Sequence, residues 1–284
     1  MSRLPSLDPK DRRLNAAGHD TARARAGRVN ASLADLRAEP LDECPLDHQI
    51  VCGDEIVVFE TRAGWALVQS VYDRYVGWTS AQALSFEVTG PTHVVHVPRT
   101  FAYPGPDLKL PASRALSMGS SVTVIGETET RGSTYALLDT GEALFARHLR
   151  LAGEADTDYV AVGRKLLGTP YLWGGSSGFG IDCSGFVQLA MRMCARAVLR
   201  DSDMQAATIG VEIDPGEDLA GLRRGDLVFW RGHVGIVDGD GNLLHASGYS
   251  MDVTSEPLGE AIARIERFFE RPIGYRRPPA GVVG

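Results

Sequence analysis

The sequence predicts two small all-β barrels followed by an α+β domain. Short β-rich runs broken by glycines begin near Asp35, and a similar series returns later, with Gly53 of the first series aligned with Gly119 of the second. After Gly153 the pattern changes to helically spaced apolar residues and then to strands, an order typical of α+β domains. A length of 284 residues is enough for about two ordinary domains or three small ones.

Changes in composition set the predicted boundaries. Residues 1–34 are polar and rich in Ala and Arg, and we expect them to form a leader. Residues 35–88 contain GDEIVVFE, GWALVQSV and YVGWTS, and residues 89–153 contain GSSVTVIGE, STYALLD and EALFARHLR. We interpret these ranges as the two barrels, with one larger β-sandwich over the same span as the alternative. Residues 154–284 form the predicted α+β domain.

The α+β domain begins with a helix whose apolar residues include Tyr159 and Val162 and which ends at Gly168. A glycine-rich loop, TPYLWGGSSGFGID, leads to a second helix from Ser184 with one apolar face. The strands DLVFW, HVGIVD and NLLHAS follow, with a DGDGN turn before the third, and a last strand lies near IGYRR.

Composition and charge exclude several classes of protein. The chain has 29 basic and 36 acidic residues, a net charge of −7, so nucleic acid is an unexpected main partner. The longest charge-free stretch, 166–181, has 16 residues with five glycines and one proline, so no membrane span is expected. The first residues, MSRLPSLDPKDRRLNAAGHD, lack the apolar core of a secretory signal. We therefore expect a cytoplasmic protein whose cysteines are thiols.

Cys183 stands where the glycine-rich loop meets the second helix, and Asp182 before it suits an N-cap. A thiol at a helix N-terminus faces the positive end of the dipole and free amide donors, which favour thiolate and can receive an oxyanion. The Asp182 carboxylate opposes thiolate formation, so a nearby base is required. The alternative is a buried structural cysteine.

Two histidines are the candidate base and its partner. His233 opens one strand and His245 lies in the next. With the turn centred at residue 239, the two imidazoles are expected directly opposite each other on one face, with Cβ atoms about 5 Å apart. Cysteine, histidine and an orienting polar residue, in this order, match the papain type of site. Two solvent-facing histidines are the alternative.

Four motifs now carry a resemblance. PYLWGGSSGFGIDCSGFVQ, GDLVFW, GHVGIV and LLHAS, in this order over roughly residues 155–277, resemble the NlpC-type cysteine peptidases, a papain-like family that cuts murein peptides. The repeats before them resemble the bacterial SH3-like barrels often joined to such domains. The whole is similar to the cytoplasmic γ-D-glutamyl-L-diamino acid endopeptidases. The resemblance implies an α+β papain-like catalytic domain preceded by two small all-β SH3-like barrels.

The resemblance also implies roles for single residues. Cys183 would be the nucleophile, His233 the general base, His245 the residue that orients it, and Tyr171 the neighbour of the oxyanion.

Substrate-binding residues follow from the same resemblance. Ser202, in the run RDSDMQ, matches a substrate-binding position, as do Asp182 and Ser184. In the first barrel, Glu39 and Tyr75 match the carboxylate and tyrosine that close the site, with Asp54 as the alternative to Glu39 and barrel core as the alternative for Tyr75. A site that requires a free N-terminal amine needs such acceptors for an ammonium group.

The implied reaction is hydrolysis of the γ-D-Glu–diamino acid bond in murein peptides with a free N-terminal L-Ala, releasing L-Ala-γ-D-Glu during cell-wall recycling. We expect murein peptides as partners, no nucleic acid, no membrane and no cofactor. No metal is expected either, because Cys44, His48 and Cys52 lack a fourth ligand nearby. The alternatives are an exported hydrolase of intact wall, a non-catalytic murein-peptide-binding protein and an acyltransferase. The choice between diaminopimelate and lysine stays open.

Overall fold

The protein is described by a computed structural model that covers residues 6–8, 10–16, 24–86 and 90–279. Within these residues the chain separates into two compact units. The barrel unit comprises Arg12–Glu154 together with Ser177–Phe179. The rest contains the predicted catalytic domain and is called the catalytic unit below. No helix within the described ranges combines the length and the apolar character needed to cross a bilayer.

The first barrel is one antiparallel sheet around a compact apolar core. Its strands are β1 (Arg25–Val29), β2 (Leu33–Arg37), β3 (Leu46–Val51), β4 (Glu55–Arg62), β5 (Trp65–Ser70), β6 (Val76–Ser80) and β7 (Leu84–Ser85). They are ordered β3-β2-β6-β5-β4-β1-β7, with a 3-10 turn at Ala81–Ala83. Ala63 and Gly64 join β4 to β5 with φ values of 48° and 85°, as a two-residue hairpin turn requires.

The predicted boundary of the leader is wrong at its C-terminal end. Strand β1 lies inside residues 1–34 and pairs with β4 and β7, so the barrel begins at Arg25 and not at Asp35. The sequence of β1, RAGRV, lacks alternating apolar residues. It is held as a strand by pairing with residues that are distant in sequence, which local patterning does not reveal.

The second barrel repeats this plan with its own core. Its strands are β8 (His93–Val95), β9 (Arg99–Tyr103), β10 (Arg114–Ser117), β11 (Ser121–Val122), β12 (Val124–Thr130), β13 (Ser133–Leu138), β14 (Ala143–Phe145) and β15 (Leu149–Leu151). They form a five-stranded sheet, β10-β9-β14-β13-β12, and a three-stranded sheet, β11-β8-β15. Gly53 and Gly119, the aligned glycines of the repeat, both have positive φ, 84° and 88°. The buried apolar residues form two separate clusters, which confirms two barrels and not one larger β-sandwich.

The catalytic unit has the predicted order of helices followed by an antiparallel sheet. Its elements are α1 (Tyr159–Lys165), β16 (Ser176–Ser177), β17 (Gly180–Ile181), α2 (Cys183–Arg192), α3 (Ser202–Thr208), β18 (Val211–Ile213), β19 (Leu227–Trp230), β20 (His233–Gly239), β21 (Asn242–Ser247), β22 (Asp252–Pro257), α4 (Leu258–Phe268) and β23 (Gly274–Arg277). The six-stranded sheet is ordered β18-β23-β19-β20-β21-β22, and α2 packs on β20 and β21.

Close packing fixes α2 against its neighbours. A Cβ atom on Gly163 of α1 would lie 2.8 Å from the ring of Phe186, so only glycine lets α1 approach α2 this closely. Phe186 itself is fully buried. The N-terminus of α2 is therefore held rigidly beside the strands that carry the two histidines.

Candidate active site

Cys183 is the first residue of α2, and the residue before it caps the helix as predicted. The Asp182 Oδ1 atom accepts a hydrogen bond from the Gly185 amide at 2.7 Å, and its Oδ2 atom accepts one from the Gly174 amide at 3.0 Å. These bonds satisfy one free donor of the helix and tie the glycine-rich loop to it. Cys183 is only 5 % exposed.

A fully buried arginine, which the sequence analysis did not single out, supports this helix start. The Arg200 guanidinium donates to both carboxylate oxygens of Asp182, at 3.0 and 2.6 Å. It also donates to Ser184 Oγ at 2.8 Å and to the Gly175 carbonyl at 3.3 Å. Arg200 is 0 % exposed, so this bidentate ion pair is shielded from water. It offsets the negative charge that Asp182 brings next to the cysteine.

The two predicted histidines are hydrogen-bonded, but in a different register from the one predicted. Ile236 pairs with Leu244, so His245 lies opposite Gly235, and a Cβ on Gly235 would lie 3.1 Å from the His245 Cβ. His233 is therefore a diagonal neighbour of His245 and not its direct partner. The shift is two residues, which keeps both side chains on one face. The His233 Nε2 atom is 2.8 Å from the His245 Nδ1 atom.

The turn explains this shift. The DGDGN run contains two Asp-Gly pairs, and the chain turns at the second, where Asp240 and Gly241 have φ values of 51° and 75°. This turn alone would shift the register by three residues, and a bulge between Val237 and Gly239 reduces the shift to two.

The sulfur of Cys183 lies beside the turn that carries His233. Its Sγ atom is 3.8 Å from the Gly232 carbonyl oxygen, and the Val234 amide donates a hydrogen bond to it. These two residues flank His233, whose ring packs against Trp230 at 5.5 Å between centroids. The structure thus brings the predicted nucleophile and the predicted base to one place.

Comparison with known proteins identifies two kinds of domain in the chain. Residues 168–266 match the NlpC/P60 family, and residues 36–84 match the bacterial dipeptidyl-peptidase Sh3 domain. The chain therefore contains an NlpC/P60 domain and a bacterial dipeptidyl-peptidase Sh3 domain. It is accordingly a cysteine peptidase, with an SH3-like all-β region preceding the papain-like domain.

Two relatives and one solved structure cover most of the chain. The γ-D-glutamyl-L-lysine dipeptidyl-peptidase of Bacillus cereus is 27 % identical over 240 residues, 75 % of this chain and 71 % of that protein. Dipeptidyl-peptidase 6 of Lysinibacillus sphaericus is 27 % identical over 82 % of this chain and 91 % of its own. The crystal structure of an NlpC/P60 family protein from Bacillus cereus superposes with a TM-score of 0.74 at 23 % identity, covering 89 % of this chain and 99 % of that one.

At this site burial favours the neutral forms of both groups, the thiol of Cys183 and the imidazole of His233. Burial, and then the Asp182 charge, raise the pKa of Cys183 to about 12, against the lowering effect of the Val234 and Ser184 amides. Burial, and then His245, lower the pKa of His233 to about 3. Desolvation thus opposes the thiolate that the helix N-terminus favours. A neutral imidazole at His233 keeps one ring nitrogen free to accept a proton.

Tyr171 lies near the same sulfur. Burial, and then its proximity to Cys183 and Asp182, raise the pKa of Tyr171 well above its ordinary value, so the phenol keeps its proton. Its backbone is fixed by a β-bridge to Ile181 and by a hydrogen bond that its amide donates to the Met251 carbonyl oxygen at 2.8 Å. A protonated phenol can donate to an oxyanion, which agrees with the role predicted for Tyr171.

The remaining predicted residues are distributed between the two units. Ser184 is buried and donates to Asp182 Oδ1 at 3.3 Å. Ser202 is the first residue of α3, and the N-cap position before it is Asp201, whose side chain makes no capping hydrogen bond. Their contacts with substrate stay predictions. Glu39 is exposed in the loop after β2, and Tyr75 is 3 % exposed in the first-barrel core.

The structure also locates Asp54, the alternative to Glu39, and two of the residues weighed as metal ligands, His48 and Cys52. Asp54 is buried and accepts from the Val51 amide at 2.9 Å, which closes the turn after β3. His48 pairs with the buried Asp73 at 3.0 Å, while Cys52 packs in the second-barrel core. Over the described ranges, no cluster of three or more His, Cys, Asp or Glu residues suited to a metal ion occurs.

Proposed function

We propose that this peptidase hydrolyses the bond between γ-D-Glu and the diamino acid in murein peptides that have a free N-terminal L-Ala, and releases L-Ala-γ-D-Glu. The observation that carries the proposal is Cys183 at the start of α2, beside the hydrogen-bonded pair of His233 and His245. The names of the γ-D-glutamyl-L-lysine dipeptidyl-peptidases support the substrate class.

The reaction starts from the neutral forms of Cys183 and His233. His233 removes the thiol proton as the Cys183 sulfur attacks the carbonyl carbon of the γ-D-Glu side chain, which gives a tetrahedral oxyanion. Amides at the start of α2 and the Tyr171 hydroxyl are the donors available to that oxygen. His233 then returns the proton to the amine of the diamino acid as the C–N bond breaks. A thioester remains on Cys183, and water attacks it with His233 again as the base, which frees the dipeptide and regenerates the thiol.

Recognition of the free amine belongs to the same proposal. An ammonium group needs an acceptor, for which we propose a carboxylate such as Asp182, while Glu39 and Tyr75 of the first barrel would close the site to longer chains. Ser184 and Ser202 would hold polar groups of the D-Glu residue. A blocked amine loses the charge-assisted hydrogen bonds, each worth about 1.5–3 kcal/mol.

The test uses synthetic L-Ala-γ-D-Glu-L-Lys, its meso-diaminopimelate counterpart and the N-acetylated form of each. We expect the wild-type chain to release L-Ala-γ-D-Glu from at least one free peptide, and Cys183→Ala to release none. N-acetylation should lower kcat/KM by at least about tenfold, the loss of one such hydrogen bond. Full turnover by Cys183→Ala would reject the mechanism. Equal cleavage of the acetylated peptide would reject the amine requirement.

A role in recycling, on peptides inside the cytoplasm, is the physiological part of the proposal. It predicts that the active chain is found in the cytoplasmic fraction and that short peptides are preferred to insoluble murein sacculi. Efficient solubilisation of sacculi, with the protein found outside the cytoplasm, would favour the exported hydrolase instead.

A further inference from the structure

Three neighbouring strands each supply one side chain to a single hydrogen-bonded row. His233 lies on β20, His245 on β21 and Glu256 on β22. Glu256 pairs with Leu243 in the register of β21 and β22, so it is a diagonal neighbour of His245 on the same face. The row therefore continues one residue beyond the pair that the sequence motifs identify.

The contacts along this row are short and shielded. The His245 Nε2 atom is 2.8 Å from the Glu256 Oε1 atom, as His245 Nδ1 is from His233. His245 is only 1 % exposed. The same Glu256 oxygen accepts from Arg264 of α4, whose guanidinium lies 4.5 Å from the centre of the Tyr249 ring. Glu256 is thus fixed from two sides, with a side-chain exposure of 22 %.

The hydrogen-bonding capacity of each group determines which atom donates at each step of this row. The pKa of Glu256 is lowered, first by the hydrogen bond from His245, so at neutral pH it is a carboxylate that can only accept. The His245 Nε2 atom must therefore carry a proton. In a neutral His245 the Nδ1 atom is then an acceptor, which requires a proton on the Nε2 atom of His233. In a neutral His233 the Nδ1 atom is left with a free lone pair.

We propose that Glu256 is a positioning residue which, by accepting from His245, fixes the tautomers of both histidines and leaves the His233 Nδ1 atom as the base. The role of His233 as the base in catalysis rests on the proposed function, whereas the tautomers of the two histidines are independent of it. Groups that face His245 from its neighbours are His233 from β20 and Glu256 from β22, and Arg264 of α4 acts through Glu256. The other tautomer of His233 would carry its proton on Nδ1 and leave no lone pair there to accept the thiol proton.

Substitution at Glu256 separates its acceptor oxygen from its charge. Glu256→Ala removes the acceptor, and we expect kcat to fall about 10–100-fold with KM changed less than about threefold, the size typical of losing an orienting partner. Glu256→Gln keeps a carbonyl oxygen that can accept from both His245 and Arg264, so kcat should stay within about threefold of wild type. The matched control is Glu260→Gln, because Glu260 is exposed in the first turn of α4.

The tautomers of the two histidines can be measured directly, without a substrate. In the full chain labelled with 15N-histidine, the ring 15N shifts at neutral pH report which nitrogen of each neutral imidazole carries the proton. His233→Gln and His245→Gln assign the two residues among the seven histidines. We expect both to be protonated on Nε2 in the wild type and in Glu256→Gln, and His245 to lose this preference in Glu256→Ala.

The outcomes keep this inference apart from the proposed function. A wild-type His245 protonated on Nδ1 overturns the inference even if Glu256→Ala does not fold. It is equally overturned if Glu256→Ala keeps kcat within twofold, or if Glu256→Gln loses as much activity as Glu256→Ala. Nε2 tautomers in a chain that cleaves no murein peptide would uphold the inference and reject the proposed function.

Discussion

Replacing Arg200 by methionine tests how strongly the start of α2 depends on one buried cation. The change removes four hydrogen bonds, two to Asp182 and one each to Ser184 and Gly175. It also leaves the Asp182 carboxylate buried without a counter-charge. Loss of one partner of a buried ion pair costs about 3–5 kcal/mol, and with Arg200 fully buried, solvent screening gives no discount.

The assay reads each unit through its own buried thiol. Cys183 in the catalytic unit and Cys52 in the barrel unit are each 5 % exposed, so pulsed alkylation in urea, followed by mass spectrometry, reports their unfolding separately. With a slope of about 2 kcal/mol per M urea, Arg200→Met should lower the Cys183 midpoint by about 1.5–2.5 M and leave the Cys52 midpoint unchanged.

Two further variants complete the experiment. Arg224→Met removes a bidentate Arg–Asp pair with Asp158 in which both side chains are over 40 % exposed, so it should cost less than about 1 kcal/mol. Asp182→Asn in the Arg200→Met background removes the buried charge and keeps an N-cap, so part of the loss should return. A Cys183 midpoint that moves no more in Arg200→Met than in Arg224→Met would refute the reasoning.

Two other predictions concern the same helix. Because burial raises the pKa of Cys183 to about 12, the rate of its alkylation in the native chain should rise about tenfold per unit between about pH 6 and pH 9, and a rate independent of pH would indicate a resting thiolate. Gly185→Ala would place a Cβ 2.3 Å from the Gly175 carbonyl oxygen, so it should lower the Cys183 unfolding free energy by about 1–3 kcal/mol and reduce kcat. Its control is Gly259→Ala in α4, where a Cβ meets nothing within 4 Å and should stabilise by up to about 1 kcal/mol; equal midpoints for the two variants would contradict the packing argument.

The parts of the site that the sequence predicts correctly depend on local rules. Asp182 caps α2 because an acceptor placed just before a helix can reach the amide of Gly185. His233 and His245 share a face because alternation along a strand survives any register shift of two residues. The two barrels are evident from repeated turn glycines, which require positive φ in each copy.

The parts that the sequence does not reveal depend on residues distant along the chain. Arg200 lies 18 positions from Asp182 and has no local pattern that marks it as buried. Locating Glu256 requires the hairpin register extended to a third strand, and that register depends on which Asp-Gly pair of DGDGN forms the turn and on a bulge.

The order of the domains, the cysteine at its helix start and the two histidines on one face follow from the sequence alone, since caps, turns and strand alternation act over a few residues. The tertiary structure alone decided the first strand of the barrel, the ion pair beneath Cys183, the carboxylate beyond His245 and the burial that favours the neutral forms of Cys183 and His233. Each of these depends on burial or on pairing between distant segments, because desolvation and long-range contacts exist only once the chain has folded.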